Sequence, residues 1–238
     1  ELRSGKGGVR LWVTLDGKSS SEATVDVALS QVAMRVAKGL PLLELDTLQG
    51  RLGASQSEGR SFEVFGRNVA FRTRGGVTLP PTDFRALWQP EDGQTPQQGE
   101  MEVTALDIAR LAQLTEFFPF PRAARERLAA TDPRGSVHNL KLAWTGDPDN
   151  PRLYSVRAGF SKLAARANNR IPGFSGLTGR IEASDRGGSI VLGSEKAEIE
   201  LPGILPESPV PLDTLAGGIN WKFVPDQLEL GFKSLSVA

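Results

Sequence analysis

Cysteine is absent from this chain, and histidine and tyrosine each occur once in 238 residues. The first absence removes disulfides and thiolate-bound zinc or iron–sulfur centres, and it leaves the compartment open between cytosol and periplasm. The lone imidazole, His138, is too little for a multi-histidine metal site or a paired-histidine mechanism. Charge of one sign is missing as well. The 28 basic and 28 acidic side chains cancel, so no overall field draws the chain to nucleic acid. No apolar run approaches the ~20 residues of a membrane-spanning helix. These gaps point away from an enzyme, and no cofactor or metal is expected. The length suits one all-β domain or two smaller ones, with enough chain to bury a core. Glu1 opens the sequence in mid-pattern, with Val9, Leu11 and Val13 close behind. This reads as a segment of something longer, whose targeting or anchoring elements lie outside it.

What is present is a phrase that recurs. Leu45-Asp46-Thr47-Leu48-Gln49-Gly50-Arg51-Leu52 returns as Leu212-Asp213-Thr214-Leu215-Ala216-Gly217-Gly218-Ile219. A third copy of its core, Leu177-Thr178-Gly179-Arg180-Ile181-Glu182-Ala183-Ser184, matches Leu48 to Ser55. Each copy alternates apolar residues and then enters a glycine-rich or polar turn, the pattern of an antiparallel strand running into a hairpin. Repetition at this scale suggests a sheet built from recurring units. Gly50, Gly179 and Gly217 sit inside those strands, where glycine weakens pairing unless it marks a bend or a close backbone approach. Such glycines would curl a sheet along its length.

Along the chain, Val9, Leu11, Val13 and Leu15 share one face of a first strand that Asp16-Gly17 turns. The next strand, Ala23 to Ala37, slips phase from Val25, Val27 and Leu29 to Val32, Met34 and Val36, which predicts a bulge near Ser30-Gln31. Ser61 to Thr73 alternates again, and Pro90 to Gly99 is a polar loop. Helical spacing then appears at Ile108, Leu111 and Ala112, with Asp107 placed to cap it. Phe117-Phe118-Pro119-Phe120-Pro121 ends that helix, and a second is expected from Arg122 to Thr131, stopped by Asp132-Pro133. Strand patterning resumes at Gly135 with Leu140, Leu142 and Trp144. It continues through Tyr154 to Phe160, Gly176 to Ser184, Ser189 to Gly193, Ala197 to Leu201, and the stretches holding Ile219, Trp221, Phe223, Leu228, Leu230 and Phe232. About a dozen alternating strands favour antiparallel pairing with one face buried. Three sections follow: a first β section over 1–98, a helical hairpin over 99–133 and a second β section over 134–238.

Candidate chemistry is sparse. Gly5-Lys6-Gly7-Gly8 lacks the following Ser or Thr and the helix that a phosphate loop needs, since Val9-Arg10 opens a strand. Asp147-Pro148-Asp149-Asn150 has no later carboxylate at calcium-ligand spacing and reads as a hairpin turn. His138 lacks a nucleophile elbow to serve and reads as structural or surface. Arg122, Arg125 and Arg127 form a solvated helix face, or alternatively a contact for anionic headgroups or an acidic partner. Phe117, Phe118 and Phe120 form an apolar seam docking the hairpin on the sheet, or alternatively a gate over a groove.

The ordered set Arg134-Gly135-Ser136, Leu140-Lys141-Leu142-Ala143-Trp144, Ile171-Pro172-Gly173-Phe174-Ser175-Gly176-Leu177-Thr178-Gly179-Arg180-Ile181-Glu182-Ala183, Gly187-Gly188-Ser189, Ile199-Glu200-Leu201-Pro202 and Pro211-Leu212-Asp213-Thr214-Leu215-Ala216-Gly217 resembles the central region of the YhdP proteins. These belong to the AsmA-like group of Gram-negative envelope proteins. The resemblance covers about residues 40–225, and a helical hairpin stands at the same place in that family's pattern. It implies a very long periplasmic protein, anchored in the inner membrane by an N-terminal helix and similar to bridge-like lipid transfer proteins. It also implies an elongated, curled antiparallel sheet, a β-taco, whose apolar groove carries phospholipid between the membranes and supports outer-membrane integrity. Membrane contact would come through parts of the protein outside this segment.

Roughly twelve strands at ~4.8 Å spacing would extend such a groove over about 55–60 Å. Its lining is expected from Val9, Leu11, Val13, Val25, Val27, Leu29, Leu140, Leu142, Trp144, Ile181, Ile199, Leu201, Ile219, Trp221, Phe223, Leu228, Leu230 and Phe232, with Phe117, Phe118 and Phe120 as the candidate gate. Two other readings stand beside it. One is a β-scaffold for envelope protein partners, the role associated with TamB-like relatives. The other is a closed β-sandwich whose apolar faces bury each other.

Overall fold

Strands that alternate apolar and polar side chains have one face to cover and pair most simply with their sequence neighbours. The computed structural model is built this way throughout: strands make up 75% of the chain. It describes residues 1–16, 20–57, 61–93, 95–118, 122–148, 150–168, 172–202, 209–225 and 227–238. The elements are β1 (Leu2–Asp16), β2 (Ser20–Met34), β3 (Leu43–Gln56), β4 (Phe62–Thr73), β5 (Thr78–Gln89), β6 (Gln98–Asp107), α1 (Ile108–Leu114), α2 (Arg122–Thr131), β7 (Arg134–Asp147), β8 (Asn150–Ala165), β9 (Gly173–Ser184), β10 (Gly187–Glu200), β11 (Val210–Val224) and β12 (Gln227–Val237). All twelve strands form one antiparallel sheet in the order β1 to β12, and it is not closed into a barrel. The mainly β sheet with a helical insertion expected from the sequence is therefore present. A sandwich needs a second sheet, and the described residues supply only one.

The chain divides into two compact units. One comprises Glu1–Thr104, Gln113–Pro121 and Ala143–Arg152; the other comprises Ala105–Ala112, Arg122–Leu142 and Leu153–Ala238. The first is centred on buried Val32, Leu43, Leu45 and Leu114, with Leu29, Leu48, Phe71, Phe117 and Phe118 packed around them. The second is centred on Phe160, Leu192 and Leu215, flanked by Leu163, Leu177, Ile181, Ile190, Ile199 and Leu212. Short helices frame the insertion. Asp107 Oδ1 accepts the Arg110 amide at 3.0 Å, capping α1 as its position predicts. Asp132, at φ 41°, ends α2 ahead of Pro133.

Strand alternation slips where the backbone turns left-handed. Gln31, Asn68, Asn139, Lys162, Lys196 and Ser234 each adopt a positive φ inside a strand. The bulge expected at Ser30-Gln31 is there: between the pairs Lys6↔Ser30 and Ser4↔Ala33, β2 advances three residues against two on β1. A bulge bends its strand and strengthens the local twist. Side chains satisfy the amides that bulges free. Asn68 N donates to Asp83 Oδ1 at 2.7 Å in the first unit, and Lys162 N donates to Thr178 Oγ1 at 3.1 Å in the second.

Three details of the strand pattern are corrected. β5 was not expected, because Pro80-Pro81 interrupts its alternation; it pairs with β4 through an irregular register between Val69↔Thr82 and Phe71↔Leu79, where the missing amides cost least. Ser189 to Gly193 and Ala197 to Leu201 are not two strands but one, β10, with the left-handed Lys196 between their phases. The three phrase glycines are not equivalent. Gly50 and Gly217 are left-handed, at φ 135° and 142°, whereas in β9 that role falls to Gly176 at φ 73°. Gly179 instead allows close approach, since a Cβ there would meet the Val191 carbonyl and the Phe160 ring.

Candidate functional site

Cross-strand register turns the period-two pattern into rows. In the first unit Leu11, Val25, Leu52, Gly66, Phe84 and Val103 stand opposite one another in succession from β1 to β6. The next row runs Val13, Ala23, Ala54, Val64, Ala86 and Met101. In the second unit Ala158, Ile181, Ile190, Ile219 and Phe232 align from β8 to β12, beside Val156, Ala183, Gly188, Trp221 and Leu230. Aromatic rings fill the gaps that glycines leave: Phe84 lies where a Cβ on Gly66 would stand, and Trp221 does the same over Gly188.

These rows are not sealed. Val9, Leu11, Val13 and Leu15 are 57%, 62%, 55% and 77% exposed, and Leu228, Leu230 and Phe232 are 55%, 56% and 63% exposed. Eleven apolar residues are buried among those described. Scattered exposed leucines are ordinary on a protein surface, whereas here they follow one another along β1 and along β12.

The opposite face carries paired charges. Arg51 forks onto Asp26 at 2.6 and 2.8 Å, and Arg85 onto Glu63 at 2.8 and 2.9 Å. The Arg51 hydrogen bonds hold the Asp26 carboxyl below its ordinary value, and those of Arg85 do the same to Glu63 against some opposition from burial. Both guanidiniums are pushed up in return. Trp12 lies between Arg10 and Arg51, whose guanidinium carbons stand 5.8 and 5.6 Å from its ring. In the first unit one face of the sheet is thus lined by apolar rows, while the other carries paired charges.

The expected lining residues fall as follows. Val9, Leu11 and Val13 are exposed on β1, and Val25, Val27 and Leu29 are half-buried on β2. Leu140, Leu142 and Trp144 are half-buried on β7, with Trp144 lying over Gly99. Ile181, Ile199, Ile219 and Trp221 are half-buried, as is Leu201 just past β10, while Phe223, Leu228, Leu230 and Phe232 are exposed. Phe117 and Phe118 pack against the core around Leu114. Phe120 lies outside the described residues, as do Gly17, Asp149 and the side chains of Arg122 and Arg127; Arg125 is exposed. His138 occupies the space above Gly159, in a structural position. Periodicity alone overlooks Phe84, Ala86 and Trp88 on β5, although their spacing of two is the same signal.

No helix of the described residues is long and apolar enough to cross a membrane, and no cluster there has the makings of a metal site. Fold and surface together define an antiparallel β-sheet protein, not closed into a barrel, whose aligned apolar rows are exposed at β1 and β12. The chain belongs to the YhdP family, matching the family description "YhdP protein" over residues 1–238. No curated protein and no solved structure matches it.

Proposed function

We propose that this chain is a section of a periplasmic lipid-transfer path. In this reading it carries phospholipid acyl chains along the apolar face of its sheet, between inner and outer membrane, and so supports outer-membrane integrity without catalysing a reaction. The observation that carries the reading is the set of apolar rows that run from strand to strand and are exposed at β1 and β12. An acyl chain laid on such rows gains about 0.8 kcal/mol for each CH₂ removed from water. Sliding costs little, because each CH₂ that leaves one contact meets an equivalent one on the next strand. Bulges such as Asn68 and Lys162 bend their strands, which supports a sheet curled around its cargo. Family membership supports the same role, with an inner-membrane anchor supplied by parts of the protein beyond this segment.

Photocrosslinking from Leu142, Ile199 or Leu230 in cells tests the reading. Crosslinked phospholipid is the expected product, and native mass spectrometry of the purified chain should find lipid bound. A second reading is a scaffold for envelope protein partners, which would bind through an exposed sheet edge. Crosslinks to protein alone, with no lipid retained, would sink the conduit and favour the scaffold.

A further inference from the structure

A cavity of about 360 Å³ opens in the second unit, where the start of β7, the end of β8, the start of β9 and the end of β10 come together. Its walls carry opposite charges at separate places. On one side Arg134 and Arg166 both turn to Asp132, each presenting Nη2 to its Oδ2, at 2.8 and 3.0 Å. That arrangement leaves one net positive charge. A guanidinium has five N–H donors, so each arginine can engage a second oxygen-rich group. On the other side are Glu198 and Glu200. Ser175 Oγ donates to Glu198 Oε2 at 3.1 Å and fixes it. Glu200 Oε2 lies 2.6 Å from the place a Cβ on Gly173 would take, so the absent side chain at Gly173 is what admits it. Phe174 and Ala165 also line the cavity, and both belong to the apolar row that continues to Ile199 and Val210.

Resting on the lipid-carrying reading above, we propose that this cavity is a headgroup subsite for a zwitterionic phospholipid whose phosphate sits beside a primary ammonium. The phosphate faces Arg134 and Arg166, where charge-assisted N–H bonds are strongest. The ammonium faces Glu198 and Glu200, which accept its N–H donors. A quaternary ammonium has no such donors and calls for an aromatic cage, whereas among the described residues Phe174 is the one aromatic side chain on these walls. A headgroup with phosphate and no cation meets the two glutamates as like charges. Glu198 and Glu200 alternate with Ile199 and so stand on the face opposite Phe174 and Ile199, and the acyl chains round the strand ends by Ala165 and Phe174 to reach the apolar row.

Titration calorimetry with dihexanoyl-phosphatidylethanolamine, kept below its micellar concentration, tests the subsite against the phosphatidylglycerol and phosphatidylcholine of the same chain length. The ethanolamine lipid is expected to bind on the order of tenfold tighter than either, the worth of a few charge-assisted bonds at a wet site. The double change Glu198→Lys with Glu200→Lys should reverse that preference toward the glycerol lipid, and Arg134→Ala with Arg166→Ala should weaken all three. Arg134 and Arg166 are 63% and 72% exposed, so circular dichroism of that variant should match the parent. Equal affinities for the three lipids, unmoved by the glutamate changes, would overturn the subsite and leave acyl carriage standing. Failure of all three to bind, with purified protein free of lipid, would overturn both. Acyl-free phosphoethanolamine binding as tightly as the lipid would reassign the cavity to a soluble ligand.

Discussion

Gly50 faces Asn68 and Val69 across the β3–β4 pairing, and the contact shows what one backbone position does for this sheet. At φ 135° a side chain is strained whatever the space around it, and a Cβ there would stand 2.8 Å from Val69 Cα and 2.9 Å from the Asn68 carbonyl oxygen. Asn68 is itself left-handed at φ 49°, a conformation asparagine tolerates better than most residues. Its amide is held by the Asp83 carboxylate. Bulge and glycine therefore work as a pair, one bending the chain and the other making room for the bend. Gly50→Ala is expected to cost about 1–3 kcal/mol through strain and the displaced strand. Gly193→Ala, at a glycine without a left-handed φ and with nothing within 4 Å, should stay within about 0.5 kcal/mol of the parent. Urea unfolding midpoints of the two variants make the comparison. Equal midpoints would mean that Gly50 merely tolerates its conformation.

At the scale of elements, punctuation decided how much the sequence disclosed. α2 has the bounds its neighbours dictate, because Pro121 suits a first turn and Asp132-Pro133 halts the last. β5 escapes a reading by period, since Pro80-Pro81 looks like a loop until its partner strand is known to be irregular at the same place. The apolar alternation was legible in β1, β2, β7 and β9 to β12 because it is local. Their exposure was not, for a leucine's accessibility depends on which elements lie above it, and alternation says nothing of that. The α1 segment illustrates the point. Leu114 at its end is 5% exposed and closes the first core over Val32, Leu43 and Leu45, with Phe117 and Phe118 beside it. Helical spacing identified the helix without revealing that its last residue is core. Leu114→Ala should cost about 2–4 kcal/mol, a transfer term plus the cavity left behind. Binding of a hydrophobic dye should rise with it as the cluster opens, and an unchanged urea midpoint would show that the segment rests on the sheet without sealing it.

Across the whole molecule, the most deeply buried residues are separate from the most exposed members of the rows, while Leu29, Ile181 and Ile199 flank the cores and belong to both. Stability concentrates in two small clusters, one around Val32, Leu43, Leu45 and Leu114 and one around Phe160, Leu192 and Leu215, supplemented by strand pairing between sequence neighbours. The rows through Leu11 and Leu230 contribute little to that, since these side chains remain more than half exposed in the folded chain. A net charge of zero gives the molecule no long-range pull on a ligand, so in the proposed reading retention rests on local contacts. The two functions can then be dissected. Leu11→Lys and Leu230→Lys should each shift stability by no more than about 0.5 kcal/mol, as surface changes do, yet sharply reduce the lipid that copurifies with the chain. Leu45→Ala and Phe160→Ala should cost about 2–5 kcal/mol each, while the lipid retained per folded molecule stays near the parent value under conditions where the variants remain folded. Native mass spectrometry beside urea unfolding reads both quantities from one preparation. If Leu11→Lys and Leu230→Lys unfold the protein, the exposed rows belong to its core and the apolar face is no conduit. If they leave both stability and bound lipid untouched, the cargo travels elsewhere.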